Sequence, residues 1–323
     1  MTALVEIEDL TVRFSGERTV HAINGVSLSV AKGEVLALLG ESGSGKSVTL
    51  KSIMQLLPGR RTQIGGRIRF DGRDVLALKG RALADFRGRD VAMIFQDPSL
   101  ALDPVYSIGT QIAETVIRHE GVSRVAARSR ALDMLKRVRI PSAERRLDNY
   151  PHEMSGGMRQ RAMIALALAC GPRLLLADEP TTALDATVQM QVLLLLRELQ
   201  QEMDMSVIFV THDIGVAVEI ADRVAVMYAG TIVETGTISQ IIKDPRHPYT
   251  KGLLAANLHG AVKGSRLDAI PGAPPTLEEP PTSCPFAPRC PSALPVCREA
   301  RPPLVNRGPG RAVACVLEQE PAI

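Results

Sequence analysis

The sequence has no basic start leading into an apolar stretch and a small-residue cleavage site. Its opening, MTALVEIEDL, is acidic early, so a secretory signal is not expected. Long apolar runs are missing as well: AMIALALAC, Ala162 to Cys170, falls far short of the roughly 18 to 20 residues that cross a bilayer, so no membrane span is expected. Nor is there a basic run. The net charge is only +3 over 323 residues and the arginines are scattered among acids, which speaks against phosphate neutralisation along DNA or RNA and leaves out nucleic acid as a partner. No internal repeat and no sustained heptad pattern is evident. What is present, 45% hydrophobic and 23% charged residues, suffices for a buried core and for two domains.

Periodicity divides the chain. The first third reads as short β segments at Val5–Phe14, Gly25–Val30, Glu34–Gly40 and Gly66–Gly72, with turns expected at Asn24-Gly25 and Lys32-Gly33. EVLALLG is almost continuously apolar, as a strand buried on both faces would be, and glycines and a helical SVTLKSIMQLL follow it. LLLAD (Leu174 to Asp178) and SVIFVTHD (Ser206 to Asp213) repeat the strand-then-helix pattern, which indicates an α/β fold with a parallel sheet covered by helices. Between them, Ser107 to Ala169 turns helical in three segments, IGTQIAETVIRHE, SRVAARSRALDMLKRV and SGGMRQRAMIALALA, an expected inserted helical subdomain. From about Gly264 the chain fills with proline and loses periodicity, the mark of a tail with little regular structure.

Two motifs carry the chemistry. GESGSGKS, Gly40 to Ser47, fits the phosphate-binding pattern G-x-x-x-x-G-K-[ST] and sits between a buried strand and a helix. Its glycines let successive N–H groups turn inward around phosphate oxygens while the helix N-terminus adds positive potential. Glu41, Ser42, Gly43, Ser44, Gly45 and Val48 complete the cradle; Lys46 would reach the β and γ phosphates, and Ser47 would ligate Mg²⁺. LLLADEP then delivers two carboxylates at a strand's C-terminal end, where open α/β sheets bind ligands. Asp178 would hold Mg²⁺ through its water shell, and Glu179 would polarise the water that attacks the γ phosphate.

Between these halves, MSGGMRQR (Met154 to Arg161) resembles the signature motif of ABC-type ATPases. Gln96 after the strand VAMIF, TTALD ending at Asp185, and His212 closing SVIFVTH stand in the family's order, over roughly residues 4 to 255. The resemblance implies a RecA-like parallel core sheet, an antiparallel β subdomain and an inserted helical subdomain at about 97–169, within a nucleotide-binding domain of residues 1–255. It implies that Phe14, where tyrosine is more usual, stacks on adenine, that Gln96 senses Mg²⁺ and the attacking water, and that His212 contacts the γ phosphate. Ser155, Gly156 and Gly157 open a helix, an anion site that in this family binds the γ phosphate of an ATP held by a second subunit, with Asp185 across the same interface. Phe14 also fits an ordinary core aromatic; Cys170 reads as a small buried residue, and His119 and His152 as surface or packing histidines.

The phosphate loop and signature are too close for the coiled coil of chromosome-maintenance relatives. A single phosphate loop departs from the paired cassettes of translation-associated relatives, and fused membrane helices typical of exporters are missing. PRHPYT (Pro245 to Thr250), the helical KGLLAANL and the proline- and cysteine-rich tail resemble the C-terminal extension, here residues 256–323, of the dipeptide, oligopeptide and nickel importers. The implied partners are a second, different ABC ATPase subunit, two membrane permeases and an extracytoplasmic solute-binding protein, with this chain peripheral on the cytoplasmic face of the inner membrane. A regulatory ATPase that moves nothing is the rival class. In a reducing cytosol the four tail cysteines, Cys284, Cys290, Cys297 and Cys315, read as metal ligands rather than disulfides. Their order, C-x5-C-x6-C-x17-C, lacks zinc knuckles and common ferredoxin spacings, and four thiolates suit either zinc or a 4Fe–4S cluster. The importer resemblance implies the iron–sulfur cluster first, zinc second and unliganded thiols third.

Overall fold

The computed structural model describes residues 3–182, 184–257 and 270–319, with the side chains of Ser99 and Leu100 set aside. The chain divides into two compact units, one of Met1–Leu76 with Phe209–Ile323 and the other of Ala77–Ile208.

The first unit opens with β1 (Ala3–Phe14), β2 (Val20–Ala31), β3 (Val35–Leu39), α1 (Lys46–Ile53), β4 (Thr62–Phe70) and β5 (Arg73–Asp74). The second holds α2 (Gly80–Asp85), β6 (Val91–Ile94), α3 (Pro98–Ala101), α4 (Ile108–Glu120), α5 (Arg124–Arg137), α6 (Ala143–Arg146), α7 (Gly156–Leu168), β7 (Leu174–Asp178) and α8 (Ala186–Glu202). Strand β8 (Ser206–Thr211) carries the chain back toward the first unit. There α9 (Ile214–Ile220), β9 (Arg223–Tyr228), β10 (Thr231–Thr237), α10 (Ile238–Lys243), α11 (Pro248–Asn257), β11 (Val305–Asn306) and β12 (Ala312–Val313) follow.

In the first unit an antiparallel sheet runs β2-β1-β4-β5. The Asn24-Gly25 turn expected from the sequence is not a turn: β2 runs through it, with Asn24 opposite Thr11. Asn24 can sit in a strand because its buried amide donates to the carbonyls of His21 (2.9 Å) and Ala229 (3.2 Å), and Gly25 takes up the sheet's irregularity at φ 80. The continuously apolar β3 is buried at all five positions and pairs in parallel with β9, Leu36 opposite Arg223 and Leu39 opposite Val226. Helix α1 stops at Ile53, short of the expected Leu57, where Gln55 turns to φ 49 and its amide donates to the Val75 carbonyl.

The tail is more ordered than its composition indicates. Strand β12 pairs antiparallel with both β10 and β11, extending the sheet edge. Phe286 is buried in one cluster with Leu39, Val226, Tyr228, Tyr249 and Leu253, and Leu277, Cys284 and Cys290 pack against it. The expected helix KGLLAANL corresponds to α11; Leu258 and residues 259–269 and 320–323 of the expected extension lie outside the described residues.

In the second unit β6 and β7 pair in parallel, Val91 opposite Leu174 and Ile94 opposite Ala177. The three helical segments read from the sequence are α4, α5 and α7, which pack on one another. Each starts where a serine caps it: Ser107 accepts from the Thr110 N–H, Ser123 from Ala126 and Ser155 from Met158. Gly121, left-handed, ends α4.

Candidate nucleotide site

In the first unit β3 delivers the chain to Gly40, whose backbone passes so close to the Met227 carbonyl that a side chain there would collide with it. The loop then turns into α1. Lys46 is 5% exposed, and its ammonium donates to the carbonyl oxygens of Gly40 (2.7 Å) and Glu41 (2.9 Å). That cation is therefore held over the loop by the loop's own backbone. Ser44 is buried, and its hydroxyl has no hydrogen-bond partner within the structure, while Ser42 and Gly43 are exposed. A buried hydroxyl left over in a cradle of glycines suits a ligand oxygen. Ser47 and Val48 are half-buried on the first turn of α1. Phe14 lies half-buried at the end of β1, opposite Val20 and Thr62, and His212 is exposed just beyond β8.

In the second unit β7 buries Asp178 at its C-terminal end and presents Glu179 next. Glu179 has a left-handed backbone, φ 46, a conformation of order 1–3 kcal/mol above the ordinary wells for a residue with a side chain. Strain of this kind persists where the surroundings fix it. The Glu179 carboxylate accepts from Thr182 Oγ1 at 3.0 Å and from Gln96 Nε2 at 3.5 Å, so Gln96, at the end of β6, reaches the expected base. Ser155 and Gly156 are exposed at the start of α7, and Gly157 is half-buried against α8, where an added methyl would lie 3.0 Å from Val188 Cγ1. Asp185 caps α8 by accepting from the Val188 N–H at 3.0 Å; Ala183, within TTALD, lies outside the described residues.

The four-cysteine metal centre is corrected. Among the described residues no group of three or more His, Cys, Asp or Glu side chains is arranged to hold a metal ion, which contradicts both the expected iron–sulfur cluster and its zinc alternative. Cys284, Cys290, Cys297 and Cys315 are free thiols that border one small apolar cavity beside Phe286. Burial pushes the Cys315 thiol up to about 11 and raises those of Cys284 and Cys290, which favours the neutral thiol over the thiolate that metals require. Elsewhere, Cys170 is half-buried with its thiol pushed up to about 11 by burial, and His152 stacks on Tyr150.

Sequence reasoning missed the supports under the phosphate loop. Tyr249 of PRHPYT accepts the Glu41 N–H at its hydroxyl, 2.8 Å away, and Arg289, between two of the cysteines, forms an ion pair with the Glu41 carboxylate at 2.7 Å. Both partners lie more than two hundred positions from the loop, so no local pattern connects them.

A phosphate loop between a buried strand and a helix, a strand ending in two carboxylates and a capped SGG helix start define a P-loop ATPase of the ABC class. The comparisons agree. The family model described as "ABC transporter" matches residues 23–182, and "Oligopeptide/dipeptide transporter, C-terminal region" matches residues 233–297. The chain belongs to the ABC transporter ATPase family, with the C-terminal region of its oligopeptide/dipeptide branch. It is 51% identical over 320 residues to "Probable peptide ABC transporter ATP-binding protein y4tR" of Sinorhizobium fredii, covering 98% of this chain and 96% of that one. It is 47% identical to "Dipeptide transport ATP-binding protein DppD" of Bacillus subtilis, over 100% of this chain and 97% of the relative. Among solved structures, the dimeric post-hydrolysis state of the cassette MJ0796 bound to ADP and Pi superposes with a TM-score of 0.65 at 30% identity, over 72% of this chain and 98% of that one. CbiO1 from Clostridium perfringens, part of a cbiONQ transporter complex, gives 0.65 at 27% identity, over 76% and 92%. As a member of this family the chain is an ATPase that uses ATP and Mg²⁺.

Proposed function

We propose that this chain is one of two ATP-hydrolysing subunits that drive import of small peptides through separate membrane permeases, fed by an extracytoplasmic solute-binding protein. The chain in this reading works peripherally, on the cytoplasmic face of the inner membrane beside its permeases; among the described residues no helix is long and apolar enough to cross a membrane. The observation that carries the reading is the buried Lys46 ammonium fixed over a glycine loop that also holds the unpartnered Ser44 hydroxyl, in a chain whose residues 233–297 match the peptide-transporter C-terminal region. Import of nickel or another small conjugate is the alternative cargo.

In this reading residues 40–48 cradle the phosphates, Phe14 stacks on adenine and His212 contacts the γ phosphate. Ser155, Gly156, Gly157 and Asp185 serve the ATP of the opposite subunit. The Ser47 hydroxyl, the Gln96 amide oxygen and the Asp178 carboxylate are hard oxygen donors of the kind Mg²⁺ takes, and the ion supplies charge neutralisation along the phosphates. Glu179, oriented by Thr182 and Gln96, takes the proton of the attacking water. Residues 1–255 act as the motor and 256–323 as its extension.

The test is Glu179→Gln. It keeps volume and hydrogen bonding but removes the base, so ATP should still bind and be trapped while turnover in the assembled complex falls by about a hundredfold or more. Unchanged turnover would sink the assignment of the base; co-purification without multispanning permeases would favour the regulatory ATPase.

A further inference from the structure

We infer that Arg289 of the C-terminal segment is a positioning residue for the phosphate-binding loop, fixing Glu41 so that Lys46 is aimed before nucleotide arrives. The inference rests on the reading of residues 40–48 as the phosphate site.

Arg289 is 7% exposed at the end of a short helical turn, Ala287–Arg289, and all five of its N–H bonds are used. Two form a fork on the Glu41 carboxylate, at 2.7 and 3.1 Å. The others go to the Tyr228 hydroxyl (3.2 Å) and to the carbonyls of Pro271 (2.8 Å) and Ile270 (3.3 Å). A guanidinium saturated in this way has one orientation. Glu41 is in turn held at three points: its carboxylate by Arg289, its N–H by the Tyr249 hydroxyl and its carbonyl by Lys46.

Tyr249 has its own foundation. Its N–H donates to His247 Nδ1 (3.0 Å), and the His247 N–H donates to the fully buried Glu234 carboxylate (2.9 Å), which Arg311 of the tail also engages. The PRHPYT motif and the cysteine-flanked turn thus converge on the second residue of the phosphate loop. The consequence runs through Lys46, whose ammonium rests on the Glu41 and Gly40 carbonyls. Fixing Glu41 fixes the cation, and a preorganised cation binds phosphate without first losing its own freedom. Pairing with Glu41 also neutralises the Arg289 charge, so that Lys46 stays the cation offered to the ligand.

The experiment measures affinity of the full-length chain for a fluorescent trinitrophenyl-ATP, ATPase kinetics and thermal midpoint for Arg289→Ala, Arg289→Lys, Glu41→Gln and Tyr249→Phe, with Lys46→Ala as reference. Arg289→Ala and Glu41→Gln should each raise Kd and the KM for ATP about tenfold, and Arg289→Ala, which lies outside the loop, should keep kcat at saturating ATP within about twofold of the parent. Arg289→Lys should recover part of the loss because it keeps the charge but not the fork. The Arg289→Ala/Glu41→Gln double variant should be no worse than either single one. If Arg289→Ala does not fold, Glu41→Gln and Tyr249→Phe decide the matter. Kd within about twofold of the parent in these variants, alongside a lowered thermal midpoint, would make Arg289 a latch for the tail and nothing more, and would overturn the inference. Retained binding in Lys46→Ala would instead overturn the phosphate-loop reading itself.

Discussion

The loop makes a quantitative claim about two of its glycines, which a methyl group can test. Gly43 has φ 79 and no atom within 4 Å of the position a Cβ would take, so Gly43→Ala meets backbone strain alone, about 1 kcal/mol. Gly45 has φ 102, and a Cβ there would lie 2.7 Å from Ile23 Cδ1 and 2.8 Å from the Ala22 carbonyl oxygen. The Ile23 methyl can rotate away. The carbonyl cannot, because Ala22 is held between His21 and Ile23 of β2, which pair with Arg13 and Val12 of β1. Strain of about 2 kcal/mol and overpacking of about 2 kcal/mol then add, so Gly45→Ala should cost about 4 kcal/mol. Urea unfolding of nucleotide-free protein, followed by far-ultraviolet circular dichroism, measures both losses if the m-value is unchanged. The chain has no tryptophan, which makes intrinsic fluorescence the poorer probe. Losses for the two variants within about 1 kcal/mol of each other would refute the argument that β2 walls off the base of the loop.

Two further outcomes follow from the same structure. Burial, with Lys251 adding to it, lowers the His247 pKa to about 4, so the ring is neutral in the folded chain and its Nδ1 can accept the Tyr249 N–H. The unfolded chain takes up that proton near 6.5, so stability falls as pH drops from 6.5 toward 4, by about 2 kcal/mol between pH 7 and 5; urea midpoints should show this in the parent and lose it in His247→Gln. Ser155→Ala removes the cap of α7 and should cost about 1 kcal/mol in thermal or urea unfolding. In the proposed role it should leave ATP binding intact while lowering ATPase turnover.

Strands and helices with strong periodicity were legible. LLLAD is β7 from end to end, IGTQIAETVIRHE is α4, and the helical segments that open at Ser123 and Ser155 are α5 and α7, whose caps those serines turn out to be. Those features are local: a buried run or a hydroxyl one residue before a helix acts on its own neighbourhood. Asn24-Gly25 misled because the same dipeptide serves a turn or an irregular strand, and the distant Ala229 carbonyl decided between them. The cysteine tail misled more deeply. Four thiols close in sequence read as ligands, yet they border an apolar cavity where burial raises the Cys284, Cys290 and Cys315 thiols, and the turn between Cys284 and Cys290 presents Arg289. Within the site, Gln96 and Glu179 were each singled out by their place in the chain, whereas the hydrogen bond between them and the left-handed backbone of Glu179 had no sequence signal.

By itself the sequence determined the class of machine, because a phosphate loop, a carboxylate-ended strand and an SGG helix start are each built from contiguous residues whose chemistry follows from their order. The structure alone decided what holds that machinery in place. Glu41 is gripped by Tyr249 and Arg289, 208 and 248 positions away, and such contacts depend on how sheet and tail fold together rather than on any spacing a reader of the chain could count.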